Sequence, residues 1–476
     1  MKATVGRVEI TTEEIQANDE LFAKILLVEE KGFSVAFISI DYISLGGEIG
    51  TVSDGFFPAL KTRLQGLGVS GVLCGTTHTH TFEPMIVDEE TLLQRIVAKV
   101  EELLPTLEEV SVTFSVGEET SFIINRNIPL KDGNDWTVRL AHALPQESDY
   151  DNLAEVDGQI QILQFVANDG KPLCVLFNFG CHPLLGMANN KATGNFPAAA
   201  ERLIESQTGA VAMMFQSTGG DVCEVAYKNY FAPKNFQENG LKLGLAVLNA
   251  MKDGQIVSGG CQAVTEKVSF PLRKDYDAAM EKLQEEQLRI CNRMQNSPLN
   301  FKNFLPLYLK YLISPEFPLD HKYAYLKENE ENVTQLKDQD ELNKRHIERY
   351  LQNIRDMEYL TRLGAEIETL RWHKERVARL GNFQEVEITA VQIGEIVLIS
   401  APFEPLTKIG LRLKERFGDK VMLLSYSNGY CHYGATEEKY ATGAYETREC
   451  DLSPDWQTVY FNTVAALINR LKGERT

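Results

Sequence analysis

The chain has 476 residues, of which 67 are acidic and 48 are lysine or arginine, so its formal net charge at pH 7 is −19. Nucleic acids and anionic membrane surfaces both attract clustered positive charge, so this acidity argues against either partner. The hydrophobic fraction of 43% is that of a folded globular protein and excludes a mostly disordered chain. The length predicts roughly three domains, or one large domain with an insertion.

The amino terminus and the cysteines bear on the cellular compartment. The first residues lack the apolar stretch and cleavage site of a secretory signal. The eight cysteines are scattered and form no C-x-x-C pair, as expected of reduced thiols in a cytosol. No run of about eighteen apolar residues occurs, so no integral membrane segment is expected. These features predict a cytoplasmic protein.

Strand-like and helix-like segments alternate in the first half of the chain. Short apolar runs predict strands at 23–28, 34–40, 71–75, 160–166, 173–179 and 211–216. Helical spacing predicts helices at 92–104, before Pro105, and at 198–206. Lys31-Gly32 and the segment 168–170 are turn signals between neighbouring strands. The alternation predicts an α/β fold with a mixed sheet.

The composition changes after Leu272, where the chain becomes rich in charged residues and leucine. Helical periodicity predicts one helix at 275–294 and a long one at 342–380, which Gly381 would end. We expect prolines to break the apolar segment 301–325, namely Pro306, Pro315 and Pro318. The interpretation we favour is a helical hairpin packed on the main body, and the alternative is a lid or an oligomerisation arm.

Strand-like sequence resumes after Gly381 and completes the main body. Predicted strands at 385–391, 393–400 and 421–425 alternate with helices at 406–416 and 456–471. The sequence therefore predicts a main domain formed by residues 1–272 and 382–476. Residues 273–381 form the predicted helical insertion.

Three candidate site residues follow predicted strands. His78 and His80 lie in the T-H-T-H block 77–80, and an H-x-H pair in an extended segment presents both imidazoles on one face. His182, in the block N-F-G-C-H-P, adds a third imidazole. Each histidine alone could equally be an ordinary residue at a strand end, and it is their combination that indicates a metal site.

Three further segments carry polar groups that such a site could use. Glu404 lies between two prolines after a strand, where it is either a site carboxylate or a helix N-terminal acid. The loop 217–224 contains Cys223, and a tight turn is the interpretation we favour for it. The tyrosine-rich segments 427–436 and 440–446 either pack or supply hydroxyl groups next to a metal.

Together these blocks resemble the catalytic domain of the neutral/alkaline non-lysosomal ceramidase family of zinc-dependent amidohydrolases. The T-H-T-H and N-F-G-C-H-P blocks are similar to the family's two zinc motifs, and G-G-D-V at 219–222 to its Gly-Asp-Val turn. Asn125-Arg126, N-G-Y-C-H-Y at 428–433 and A-Y-E at 444–446 resemble further family motifs in the same order. The helical segment lies outside the resemblance.

The resemblance implies a role for each motif residue. It implies zinc, Zn²⁺, held by His78, His182, Glu404 and Tyr433. His80 would be the acid or oxyanion group, and Arg126 and Tyr445 would contact the substrate carbonyl. The implied reaction is hydrolysis of a linear amide, or N-acyl, bond through a zinc-bound hydroxide. The implied partner is a small-molecule amide, including lipid-like ones.

The chain departs from the family pattern at several places, which keeps alternatives open. Cys223 replaces a serine, and G-N-F-P at 194–197 replaces A-D-F-P. The alternatives are a zinc esterase or lactonase on the same site, and a non-catalytic metal-binding scaffold protein. Another divalent metal remains an option, because the donor set suits several. A homo-oligomer is an open possibility for the assembly.

Overall fold

The computed structural model describes residues 1–13, 16–80, 86–138, 144–186, 191–228, 231, 233–319 and 322–473. The chain divides into two compact units. Met1–Arg273 and Arg376–Thr476 form the main unit, and Lys274–Glu375 form the helical unit. The assignment of a catalytic role to the one part and of an insertion to the other stays a prediction.

The described strands and helices are numbered in chain order. The strands are β1 (Lys2–Glu9), β2 (Phe22–Glu30), β3 (Phe33–Ile40), β4 (Gly71–Thr76), β5 (Glu108–Glu118), β6 (Ile123–Asn125), β7 (Asn127–Pro129), β8 (Asp135–Thr137), β9 (Gln159–Ala167), β10 (Pro172–Phe179), β11 (Val211–Gln216), β12 (Val222–Glu224), β13 (Gln255–Ile256), β14 (Cys261–Pro271), β15 (Phe383–Ile393), β16 (Ile396–Ala401), β17 (Glu404–Pro405), β18 (Val421–Ser425) and β19 (Tyr433–Gly434). The α-helices are α1 (Phe56–Gly66), α2 (Glu89–Leu103), α3 (Asn195–Thr208), α4 (Phe236–Ala250), α5 (Tyr276–Arg293), α6 (Phe301–Ile313), α7 (Lys322–Glu331), α8 (Gln335–Leu380), α9 (Thr407–Phe417), α10 (Glu437–Thr442) and α11 (Trp456–Leu471).

The main unit contains a large mixed sheet with the strand order β11-β10-β9-β5-β1-β2-β3-β4, and β13 pairs with β5. The pairs β3–β4 and β10–β11 are parallel, and the other pairs in the sheet are antiparallel. A second sheet has the order β14-β15-β16-β18, in which β16 and β18 are parallel. The predicted mixed α/β fold is confirmed.

Both predicted turns join antiparallel neighbours. Lys31 and Gly32 have φ angles of 52° and 80° between β2 and β3. Two successive positive φ angles are typical of the tight turns whose twist suits a hairpin. The segment 168–170 joins the antiparallel strands β9 and β10. The turn residues thus set the register of two hairpins in the large sheet.

The core of the main unit consists of three buried clusters, one between the two sheets and two between the large sheet and its helices. Apolar side chains of both sheets, including Leu26, Phe37 and Leu398, form one buried cluster. The opposite face of the large sheet packs against α1 and α2 at one end and against α3 and α4 at the other. Helix α11 packs on β14 and β15. This arrangement buries both faces of the large sheet, so the strand ends are where polar groups can gather.

Some elements differ from the sequence predictions. Strands β1, β5 and β14 were not predicted, because charged residues interrupt their apolar pattern. Pro306 was expected to break a helix, but α6 continues through it. Asn300 caps α6 by accepting the backbone N–H groups of Lys302 and Asn303 at 3.0 and 3.3 Å, which offsets the bond lost at the proline.

The helical unit contains α5 to α7 and most of α8. The hydroxyl groups of Tyr311 and Tyr325 both donate to Oδ1 of Asp340, at 2.7 and 3.0 Å. These bonds fix α6 and α7 on α8. Helix α8 begins seven residues before its predicted start and ends at Leu380, as Gly381 predicted. None of the helices in the described ranges is both long and apolar enough to cross a bilayer.

Candidate metal centre

The candidate site lies where strands of both sheets end. His78 follows β4, and His182 follows β10. Glu404 and Tyr433 occupy the same register position in the parallel two-residue strands β17 and β19. Because side chains just beyond the carboxyl ends of strands meet at one edge of a sheet, these residues converge although they are far apart in sequence.

Backbone hydrogen bonds join the two sheets beside the site. The N–H of Thr76 donates to the carbonyl of Tyr426 at 3.2 Å, and the N–H of Asn428 donates to the carbonyl of Cys74 at 2.7 Å. The side chain of Asn428 also accepts the N–H of Cys74 at 2.9 Å. Strand β4, which precedes the first histidines, is therefore fixed to the segment that carries the tyrosines.

The two imidazoles of His78 and His182 face the carboxylate of Glu404. Nε2 of His182 lies 3.0 Å and Nε2 of His78 lies 3.5 Å from Oε2 of Glu404. Nδ1 of His78 lies 2.8 Å from the carbonyl of Ile43, and Nδ1 of His182 lies 2.5 Å from that of Gly219. Since a carbonyl only accepts, both Nδ1 atoms carry a proton, and this leaves both Nε2 atoms as electron-pair donors when the rings are neutral.

This donor set fits a bound metal cation. Burial, partly opposed by Glu404, lowers the pKa of His78 to about 4, so its ring is neutral at pH 7. The pKa of Glu404 lies well below its usual range, because His78 and His182 outweigh the effect of burial. Two imidazole nitrogens that act as electron-pair donors and a carboxylate oxygen would repel one another at these distances unless a cation lay among them. The chemistry of the three donors is that of zinc sites in proteins.

His80 is the third imidazole of the cluster. Its Nε2 lies 3.0 Å from Nε2 of His78, and the candidate ligand atoms of His78, His80 and His182 all lie within 4.8 Å of one another. Burial, together with the two neighbouring imidazoles, lowers the pKa of His80 well below its usual value. Because Nε2 of His78 is an acceptor, Nε2 of His80 is the donor in this contact. The proton it carries lies at the site.

Arg126 is buried beside this cluster and is held on three sides. Its Nε donates to Oε1 of Glu446 at 2.7 Å, and its terminal nitrogen donates to the carbonyl of Gly220 at 2.7 Å and to the hydroxyl of Tyr433 at 3.0 Å. The hydroxyl of Tyr433 lies 3.1 Å from Nε2 of His182, so it can donate there. Arg126 therefore connects the cluster to a buried carboxylate.

The structure brings the seven predicted site residues into one chain of contacts, which consists of His78, His80, His182, Glu404, Tyr433, Arg126 and Tyr445. The ring of Tyr445 lies 5.2 Å from the guanidinium carbon of Arg126, and its hydroxyl donates to Glu449 at 2.8 Å. Burial raises the pKa of the Tyr433 hydroxyl, with Arg126 opposing it. The individual roles of these residues stay predictions.

Sequence reasoning missed the residues that orient this set. The hydroxyl of Tyr430 makes a short hydrogen bond to Oε1 of Glu404, and that of Tyr426 lies 3.3 Å from Oε2. Glu446 also accepts Nδ2 of Asn127 at 2.9 Å. The signal was the tyrosine-rich segment itself, but composition alone does not show which hydroxyl group meets which partner.

Backbone strain concentrates at this site. His78, Tyr426, Asn428 and His432 have φ angles of 59°, 55°, 62° and 58°. Residues other than glycine rarely adopt this left-handed conformation, and it tends to persist where the surrounding structure enforces a functional geometry.

At Gly220 a Cβ atom would lie 2.7 Å from the carbonyl oxygen of Glu404, so only glycine permits the close approach of these two segments.

The loop 217–224 is structural. Oδ1 of Asp221 accepts the backbone N–H and the hydroxyl of Thr407 at 2.8 and 2.7 Å, at the first residue of α9. Asp221 thus caps the N-terminus of α9. The sequence had left that role open for Glu404. Cys223 is fully buried in β12, and its backbone forms a parallel bridge with that of His182. This placement supports a packing role for the thiol.

Glu224 anchors the segment that follows His182. Its Oε2 accepts the backbone N–H groups of Leu184 and Leu185 at 2.9 and 2.8 Å, and its Oε1 accepts Nδ2 of Asn239 at 2.8 Å. Burial raises the pKa of this carboxyl group to about 7, although those donors oppose the shift. A raised pKa couples the stability of the fold to pH.

We expect Glu224→Gln to remove a pH dependence of stability. A carboxyl group with a folded pKa of about 7 and a lower unfolded pKa contributes stability that is fully present below the unfolded pKa and lost as the pH rises through the folded one. At about 1.4 kcal/mol per pKa unit, the loss between about pH 5 and pH 8 is about 2 kcal/mol or more.

Glutamine preserves the shape and, with the amide of Asn239 reversed, all three hydrogen bonds of Glu224. We expect urea unfolding to show that, from about pH 5 to about pH 8, the free energy of unfolding of the variant rises by about 2 kcal/mol relative to that of the wild type. A constant difference between the two proteins would contradict the expectation.

Comparison with known proteins identifies solved structures that share this fold. No family model matches the sequence, and no curated protein matches it significantly. The crystal structure of neutral ceramidase from Pseudomonas aeruginosa matches 100% of this chain and 75% of its own, at 14% identity and a TM-score of 0.63. A ceramidase complexed with C2 matches 99% of this chain and 75% of its own, at 16% identity and a TM-score of 0.63. The chain therefore has the fold of neutral ceramidase, as its motifs predicted.

Proposed function

We propose that this protein is a metal-dependent hydrolase, with zinc as the metal, that cleaves a linear amide bond in an N-acyl compound. The observation that carries the proposal is the convergence of His78, His182 and Glu404 with a buried arginine beside them. Two solved structures that share the fold are ceramidases, which adds support for an amide substrate.

His78, His182 and Glu404 would hold the metal, with Tyr433 as a fourth ligand. Two imidazoles, a carboxylate and a weakly binding phenol suit zinc, although other divalent metals accept the same donors. When bound, zinc supplies Lewis acidity and lowers the pKa of a coordinated water towards about 7. The hydrogen bonds from Tyr430 and Tyr426 to Glu404 fix the orientation of the carboxylate.

The remaining residues would act on the substrate. Arg126 carries a buried positive charge, and such a fixed charge stabilises negative charge that develops on a carbonyl oxygen. Tyr445 lies against Arg126 and would add a hydroxyl donor by exchanging its bond to Glu449. His80 would take up the proton released by the attacking water and pass it to the leaving amine.

The test is a panel of matched amide, ester and lactone substrates that share one acyl chain, ranging from short and water-soluble to lipid-like. Amide hydrolysis that is lost with a chelator and restored by zinc is the expected result. Cleavage of the esters alone would show an esterase or lactonase instead. Tight zinc binding without turnover of any substrate would favour the metal-binding scaffold. A cytoplasmic location stays part of the proposal.

A further inference from the structure

Helix α6 of the helical unit uses only one of its sides for packing. Phe304 is buried, and its ring stacks on those of Tyr350 and Tyr308, with centroids 4.4 and 5.3 Å apart. The hydroxyl of Tyr311, on the same side, donates to Asp340 of α8. These contacts fix the orientation of α6, so the opposite side of the helix is exposed.

That outward side is apolar. Five large apolar residues of α6 are exposed, namely Phe301 (65%), Leu305 (40%), Leu309 (44%), Leu312 (58%) and Ile313 (81%). Their spacing of three and four residues places them in one stripe along the helix, which we call the α6 stripe. Scattered exposed leucines are ordinary, but a continuous exposed stripe marks an interaction surface.

The charged residues of α6 itself indicate what the stripe contacts. Helix α6 contains Lys302 and Lys310 and no acidic residue, in a chain that has 67 acidic residues. At about 100° per residue, Lys302 projects beside Ile313 at one edge of the stripe, and Lys310 projects about 60° beyond that edge. An apolar helix face bordered by lysines is the pattern of helices that lie in the headgroup region of a bilayer.

We propose that the α6 stripe docks on an anionic phospholipid surface, with its apolar side chains below the headgroups and its lysines at the phosphates. A second copy of this chain fits less well, because a symmetric contact would bring the lysines of two stripes into one interface. The net charge of −19 does not prevent docking. Charges further away than the Debye length of about 8 Å are largely screened in physiological salt.

This docking is independent of the proposed hydrolysis and can be measured without turnover. The experiment is co-sedimentation of the full chain with vesicles of phosphatidylcholine alone, or of phosphatidylcholine mixed with phosphatidylglycerol. The vesicles contain no amide lipid. Failure of vesicle binding would therefore leave the hydrolase proposal standing, and failure of hydrolysis would leave this one standing.

Two variant pairs, each with a matched control, test the two halves of the proposal. Leu305→Ser/Leu309→Ser removes apolar surface from the stripe. Its control is Leu241→Ser/Leu245→Ser in α4, where the leucines are 48% and 54% exposed. Lys302→Gln/Lys310→Gln removes the charges, and its control is Lys282→Gln/Lys344→Gln in the same unit.

The wild type should sediment with the anionic vesicles and far less with phosphatidylcholine alone. The leucine pair should weaken binding by roughly tenfold or more. The lysine pair should weaken it roughly fivefold for each lysine, while both controls bind as the wild type does. Three results would overturn the proposal: no vesicle binding by the wild type, unchanged binding by the leucine pair, or a dimer in light scattering that the leucine pair converts to a monomer.

Discussion

Glu404→Gln should abolish metal binding and hydrolysis while leaving the protein folded. The glutamine amide can donate hydrogen bonds to Nε2 of His78 and His182, which now face the carboxylate at 3.5 and 3.0 Å. The substitution therefore removes the negative charge but keeps the shape. Losing a residue that merely supports a ligand weakens metal binding about 10- to 100-fold, so losing a direct ligand should cost more than about 100-fold.

Metal content by mass spectrometry and amide hydrolysis are the measurements for this variant. Glu224→Gln is the matched control, because Glu224 is also a buried carboxylate of the main unit, but its hydrogen bonds come from Asn239 and from the backbone N–H groups of Leu184 and Leu185. The control should keep its metal and its activity. Retention of both by Glu404→Gln would show that the carboxylate is not a ligand.

Arg126→Met should lower the free energy of unfolding by about 3–5 kcal/mol, the usual effect of breaking a buried ion pair. The substitution leaves Glu446 charged and fully buried, and of the side chains that bond it within the described residues only that of Asn127 remains. Adding Glu446→Gln should recover much of that loss, because it removes the uncompensated charge. Activity should stay low in both variants, since the arginine itself is absent.

Chemical denaturation of the single and double variants measures this coupling. The control is Arg470→Met, which breaks an exposed pair with Glu266 and should change stability by less than about 1 kcal/mol. If the double variant is no more stable than Arg126→Met alone, the arginine is not held by the charge of Glu446. Recovery of hydrolysis in the double variant would exclude Arg126 from the reaction.

The strand ends explain why the histidines of the site could be predicted, whereas the arginine and the tyrosines came from the resemblance to the ceramidase motifs. His78 and His182 each follow an apolar run that is short enough to be a buried strand, and such ends meet at one edge of a sheet. The main sheet could be predicted for the same reason, since most of its strands are apolar throughout. Strand β1 carries charges between its apolar residues, so its pattern alone did not reveal it.

The orientation of the side chains could not be predicted from the sequence. The two-residue strands β17 and β19 pair in parallel and place Tyr433 beside Glu404, and Tyr430, three residues before Tyr433, reaches the same carboxylate. Strands so short have no periodicity to detect. Glu446 binds Arg126 across 320 residues of sequence, and only the folded backbone brings the two together. At Pro306 the local sequence gave a wrong prediction. The proline is a helix-breaking signal, but the cap and the tertiary packing of α6 override it.

The most direct test of the central claim is the metal content of the purified protein, measured by mass spectrometry on the wild type and on His182→Ala together. The account predicts about one zinc ion per wild-type chain and a large loss in the variant, because Nε2 of His182 lies 3.0 Å from the carboxylate at the centre of the donor set. A wild type purified without chelator that holds no metal, or a variant that keeps all of it, would contradict the account.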